Sequence, residues 1–178
     1  IAIYLAHLNP VTNAHAEIIR DLVTKGDPNK WTPLTESLLM WASRTEHVEK
    51  LIRPSLEDGK WVLCDRFYHS TYAYQGIGHN LGIEKMKAIK NIVLGDFKPD
   101  LTFVLDIDPL VGIERTKKRN SDEDRFEKMN IDFHNKLRHA FIEISKEDPH
   151  RFVLIDGELD INSIFEIISN EVMNRFIL

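Results

Sequence analysis

An acid and a base stand together at Asp65 and Arg66, directly after the apolar run Trp61-Val62-Leu63-Cys64. Ser70, Thr71, Tyr74 and Gln75 follow closely. If Ser70 to Gly76 turns helical, three- and four-residue spacing sets Ser70 over Tyr74, and Thr71 over Tyr74 and Gln75. One short face then carries two hydroxyls, a phenol and an amide, with Arg66 at its base. A guanidinium presents a planar fork of donors that suits phosphate oxygens. Asp65 can orient that arginine, or hold a magnesium ion through water. The same pattern also fits a structural ion pair on a loop with Tyr74 in the core. Local spacing does not separate the two.

Two further groups carry similar chemistry. Met40, Arg44, His47 and Leu51 form a stripe beside the apolar face of their helix, where a stripe can line a cleft. Arg44 could donate there to a carbonyl of a bound ring, or lie solvated with its stem over apolar neighbours. Farther on, Gly112 to Glu127 reads "GIERTKKRNSDEDRFE". A helix ending in Arg115, Lys117, Lys118 and Arg119 gives way to a polar loop, and Arg125 opens the next helix. In a chain of net charge -5, this basic patch reads as a mobile lid over a polyanion, around residues 115–126. The helix dipole accounts for cations at Lys117 to Arg119 but not for Arg125 near a helix start.

These residues need a scaffold. Ile1 to Leu5, Lys60 to Cys64, Leu101 to Ile107 and Arg151 to Ile155 are apolar nearly throughout, as in parallel strands buried on both faces. Helical periodicity lies between them. Ala14 to Val23 forms one helix. Thr35 to Ile52 places Leu38, Trp41, Ala42, Thr45, Val48 and Ile52 inward, and Phe126 to Ile144 does so with Met129, Phe133, Leu137, Ala140 and Phe141. A last helix follows the N-cap Asp160, with Ile161, Ile164, Phe165, Ile168 and Val172 on its apolar face. Strands alternating with helices imply an α/β, doubly wound parallel sheet with right-handed crossovers. No linker or repeat divides the chain, so residues 1–178 read as one domain. Ligands of such sheets bind beyond the carboxyl ends of the strands. Asp65 and Arg66, Asp106 and Asp108, and Asp156 and Gly157 stand there, with Asp108 before Pro109 reading as a helix cap.

The acidic balance argues against nucleic-acid and membrane partners. A single cysteine excludes an intrachain disulfide and fits a reducing, cytoplasmic compartment. No apolar run reaches the ~20 residues that span a bilayer, and no signal segment opens the sequence.

Several segments together resemble thymidylate kinases, P-loop nucleoside monophosphate kinases, from about Ala16 to the C-terminus. They are "PLTESLLMWASRTEHV", "IRPSLEDGKWVLCDRFYHSTYAYQG", "KPDLTFVLDID" and the "DRFE" of the lid. The resemblance implies a sheet flanked by helices in a three-layer sandwich. It implies transfer of the γ-phosphoryl of ATP to dTMP, giving dTDP, with Mg2+. It puts Arg66 on the dTMP phosphate and Asp65 at the phosphates and metal. Arg44 would reach the thymine carbonyl, Thr71 and Gln75 the base edge, with Ser70 beside them, and Tyr74 the deoxyribose side. Arg115, Arg119 and Arg125 would belong to the lid, which supplies the catalytic arginine in bacterial members. Met40 stands where the family usually stacks an aromatic on the base. Family members are commonly homodimers.

One family feature is absent from these 178 residues: G-x-x-x-x-G-K-[ST], the strand-to-helix loop that cradles ATP phosphates. The only Gly-Lys pair, Gly59-Lys60, precedes a strand and is followed by Trp61. Either Ile1 to Leu5 is the family's second strand and the loop lies upstream, or it fills the central slot of the sheet and an edge strand is gone. Without the loop, a nucleotide-binding protein lacking kinase activity is the alternative reading. The opening residues also resemble phosphopantetheine adenylyltransferase-like nucleotidyltransferases through Thr12 and His15. Ala14 replaces the glycine of that motif, however, and backbone cannot approach a phosphate as closely there.

Overall fold

Every expected strand joins one parallel sheet. The computed structural model describes residues 2–4, 14–25, 27, 30–117, 126 and 129–176. Strands β1 (Ala2–Tyr4), β2 (Val62–Cys64), β3 (Leu101–Asp106) and β4 (Phe152–Asp156) lie in the order β2-β1-β3-β4. Ile3 pairs with Leu63 on one side and with Leu101 on the other. The first strand thus takes the central slot, the second of the two placements open from sequence. The chain leaves β1 toward β2 and leaves β3 toward β4, so the order reverses between β1 and β3. A doubly wound sheet opens its ligand crevice at such a point, beyond the carboxyl ends. Residues 5–13 lie outside the described residues.

Eight α-helical segments flank the sheet among the described residues: α1 (Ala14–Thr24), α2 (Pro33–His47), α3 (Arg53–Glu57), α4 (Tyr68–Thr71), α5 (Ile83–Leu94), α6 (Pro109–Lys117), α7 (Ile131–Lys146) and α8 (Ile161–Phe176). A π-helical turn, Val48–Ile52, carries α2 into α3, and another, Tyr72–Gly78, extends α4. Thr32 caps α2 by accepting from the Thr35 amide at 3.3 Å. Pro33 at the first position has no amide to leave unsatisfied.

One face of the sheet packs Cys64, Val104 and Phe152 against Trp41, Tyr72, Met86, Phe133, Leu137 and Ile144. The other packs Leu101, Phe103 and Ile155 under Ile164, Ile168 and Val172 of α8. Layers of helix, sheet and helix result.

The structure corrects three expectations. The helix expected from Phe126 begins at Ile131, because the Asn130 side chain accepts from the Phe133 amide at 2.9 Å and caps it there. Phe126 instead lies in a turn with its ring 5.0 Å from that of Tyr74. On α2 and the π-helical turn after it, Trp41 and Val48 are buried, but Leu38 is 51% exposed and Ser37 and Arg44 turn inward. On α8, Ile161 and Phe165 are exposed, so its packed stripe is narrower than the apolar pattern.

Candidate active site

Glu36, Met40 and Arg44 recur every four residues along α2, which stacks them on one stripe. Thr71 ends α4, and Gln75 lies one turn on, in its π extension. The two stripes meet antiparallel. Arg44 Nη1 donates to Thr71 Oγ1 at 2.5 Å. Gln75 Nε2 donates to Glu36 Oε1 at 2.6 Å. The Arg44 guanidinium also reaches back one turn to the Met40 carbonyl, at 3.2 Å. That is the direction helical side chains tilt. Glu36, Arg44, Thr71 and Gln75 are each at most 6% exposed. The solvated reading of Arg44 is therefore wrong. Its charge is held by a hydroxyl, a carbonyl and the Trp41 ring, 5.7 Å away.

Arg66 stands just beyond β2, exposed, with φ 56°. Left-handed backbone is uncommon for a side chain with a Cβ, and here it lets the chain turn sharply from strand to helix. Arg66 Nη1 donates to the Tyr74 hydroxyl at 3.0 Å, and the guanidinium carbon lies 5.3 Å from the ring centre. Tyr74 is itself wedged against Phe126, Phe133 and Phe141. Asp65 beside it is half-buried and Ser70 is buried. The helix starts at Tyr68, two residues before the expected Ser70, and widens at Tyr72. The His79 amide reaches the Tyr74 carbonyl at 2.9 Å, a five-residue step of the kind that recurs at functional sites. At Gly78 a Cβ would come within 2.7 Å of the Phe133 ring, so the absence of a side chain lets α7 close on this segment.

The carboxyl ends of β3 and β4 are tied by their own neighbours. Asp106 accepts two bonds from Arg138, at 2.7 and 2.9 Å. Asp108 caps α6 through the Leu110 amide at 2.9 Å, as expected. The Gly157 amide donates to the Asp106 carbonyl at 2.6 Å, where a Cβ would sit 2.9 Å from that oxygen. Arg115 donates to the Gly157 carbonyl at 2.8 Å, so this lid candidate is anchored on the strand ends. Arg119, Arg125 and Thr12 lie outside the described residues, and His15 is exposed near the start of α1.

Burial sets the charge states nearby. It pushes the Cys64 thiol up to about 12 and holds His69 well below its usual value, with Arg151, Arg44 and Lys90 adding to the second effect. His47, on the Arg44 stripe, is also lowered, mainly by burial.

The structure brings together Arg44, Met40, Thr71 and Gln75, and sets Arg66 with Tyr74. Sequence reasoning missed Glu36 and Arg138. Glu36 was within reach, because the Met40–Arg44 stripe extended back by the same step lands on it.

A family model described as thymidylate kinase matches residues 3–168. The chain belongs to the thymidylate kinase family. The thymidylate kinase of Caulobacter vibrioides is 42% identical over 160 residues, spanning 90% of this chain and 76% of its own. That of Lactobacillus acidophilus is 41% identical over 173 residues, or 97% and 80%. The solved structure of thymidylate kinase from Ehrlichia chaffeensis superposes with a TM-score of 0.71 at 28% identity, covering 96% of this chain and 80% of that one. Membership assigns the chain thymidylate kinase activity, a phosphotransfer, and the P-loop-kinase-like α/β fold expected from its motifs.

Proposed function

We propose that the cleft between α2 and α4 is the dTMP half of a site that moves the γ-phosphoryl of ATP to dTMP, giving dTDP. The observation that carries this reading is the pair of buried cross-helix ties, Arg44 to Thr71 and Glu36 to Gln75, with Arg66 exposed at the strand end. These ties fix the polar groups that would read a base, and the exposed Arg66 would meet its phosphate.

Arg44 donates to a ring carbonyl, Thr71, Ser70 and Gln75 face the base edge, and Met40 packs on the ring. Tyr74 flanks the deoxyribose and steadies Arg66, which grips the phosphate. Phosphoryl transfer depends mainly on positioning and charge stabilisation, so an aligned acceptor oxygen is the chief contribution of this half. Asp65 would hold Mg2+ through water. A half-buried carboxylate suits an ion that keeps several waters and shares substrate phosphates. When bound, the ion neutralises charge between donor and acceptor phosphates. Arg115, Arg119 and Arg125 form the lid around 115–126 of a single domain, residues 1–178.

The working protein is a cytoplasmic homodimer in this reading. No helix among the described residues is long and apolar enough to cross a membrane. Light scattering after size exclusion tests the dimer.

A second reading, nucleotide binding without phosphotransfer, has one observation in its favour: G-x-x-x-x-G-K-[ST] does not occur in the 178 residues. ADP release coupled to a reporter, with ATP and dTMP, separates the two. dTMP-dependent release is expected. Measurable dTMP binding without release favours the second reading for this chain.

A further inference from the structure

Glu36 is 1% exposed. A buried carboxylate is costly unless it is paired and hydrogen-bonded, so its position calls for a reason. Its Oε1 accepts from Gln75 Nε2 at 2.6 Å. His79 Nε2 lies 3.4 Å from the same oxygen, within ion-pair range but without hydrogen-bond geometry. An ionised carboxylate only accepts, whereas an amide can turn either its NH2 or its carbonyl toward a partner. Glu36 removes that freedom. The opposite flip of Gln75 would set two acceptors face to face. Nε2 is therefore held on Glu36, and Oε1 turns away from it as an acceptor.

We infer that Glu36 is a positioning residue that sets base specificity by locking the Gln75 amide in this one orientation. The inference rests on the reading of the cleft as a dTMP site and goes beyond it. A keto pyrimidine carries a ring N3–H donor beside a C4 carbonyl acceptor. An aminopyrimidine reverses both, with a bare N3 and an exocyclic amine. The locked Gln75 carbonyl accepts from N3–H. The Arg44 guanidinium, which only donates, matches the adjacent carbonyl. Against an aminopyrimidine, acceptor meets acceptor and donor meets donor. Unpaired polar groups of this kind give strong rejection. A Gln75 free to flip would accommodate either N3, and part of that rejection would vanish. The Glu36, Met40, Arg44 stripe and the Thr71, Gln75 stripe place the lock and the donor in one cleft.

The test uses two ligands that differ only on that ring edge, dTMP and 5-methyl-dCMP, titrated calorimetrically into the full chain and into Glu36→Gln. A glutamine at 36 offers both a donor and an acceptor, so Gln75 regains both orientations. The expected result is a preference for dTMP in the unaltered chain that falls about tenfold or more in the variant. Most of that change comes from tighter binding of 5-methyl-dCMP. A merely structural role would weaken both ligands alike. An unchanged ratio, or an equal loss for both, overturns the inference while leaving the dTMP site intact. Failure of the unaltered chain to bind dTMP overturns the site and the inference together. A second measurement covers a variant that does not fold. In the 15N-labelled unaltered chain, one Gln75 side-chain amide proton should be shifted downfield and keep that shift when dTMP is added. Two amide protons at the shifts of a solvent-exposed glutamine would overturn the lock.

Discussion

Arg44 and Thr71, 27 residues apart in the chain, are joined by a 2.5 Å hydrogen bond in the interior between α2 and α4. A guanidinium brought inside at 6% exposure loses hydration, which its hydroxyl and carbonyl partners offset. Its place beside Thr71 and Gln75 is where the proposed site needs a donor for a base carbonyl.

Arg44→Ala should therefore act on both fold and specificity. Loss of a charged buried hydrogen bond costs about 1.5–3 kcal/mol, which urea denaturation will report. Binding of dTMP should fall, and discrimination between bases should fall with it. If all pyrimidine monophosphates lose affinity equally, Arg44 does not read the base.

Tyr74→Phe removes the acceptor that steadies Arg66 at 3.0 Å and keeps the ring against Phe126 and Phe133. Solvent exposure of the guanidinium brings this charge-assisted bond down to about 0.5–1.5 kcal/mol. That loss should appear in the dTMP dissociation constant, with the thermal midpoint nearly unchanged. A large drop in the midpoint with unaltered dTMP affinity would make Tyr74 a core residue only.

His69 and His47 predict sensitivity to acid. Both are held below their usual value of 6.5 by burial, His69 strongly so. The unfolded chain takes up protons near 6.5 while the folded chain resists. Their contribution to stability is thus complete above 6.5 and is lost as pH falls through the depressed native values. Urea midpoints should hold between pH 7 and 8 and decline below about 6.5. His69→Gln should flatten the decline; an unchanged slope would place its origin elsewhere.

Cys64 predicts the opposite edge. Its thiol rises from 9.0 to about 12 in the fold. Protons stay on the folded chain while the unfolded chain releases them, so this contribution is complete below 9 and is lost as pH climbs toward 12. Native protein should resist thiol reagents at pH 8 and react fully in urea, because the thiolate is the reactive form. Rapid labelling of native protein would contradict this.

The strands were legible as apolar runs, although of β2, β3 and β4 only β3 is covered on both faces: Leu63 and Leu154 are each 47% exposed. Their order was not, since the slot taken by β1 depends on partners Leu63 and Leu101 far along the chain. The helix α5 went unread because Met86, Ile89 and Val93 alternate with Lys85, Lys87 and Lys90, which blurs the apolar stripe. The face of α2 was misread because its apolar pattern points to Leu38, which is exposed, and not to Glu36, Ser37 and Arg44, which are buried. Glu36 and Arg44 turn inward only because Gln75 and Thr71, on another element, receive them. Buried charge is rare without such partners, and no local pattern reveals a partner on another helix. The residues after β2 were legible as a group, since Thr71, Tyr74 and Gln75 lie within one short helical stretch and Arg66 stands just ahead of it.

The proposed function puts the dTMP phosphate on Arg66, which is exposed just beyond β2. Titration of dTMP and of thymidine into the unaltered chain and into Arg66→Ala tests it most directly. Loss of a charge-assisted phosphate contact costs about 2–4 kcal/mol, or roughly 30- to 1,000-fold in the dissociation constant. The account predicts that loss for dTMP and no change for thymidine, which carries no phosphate. Unaltered dTMP affinity, or an equal loss for thymidine, would contradict it.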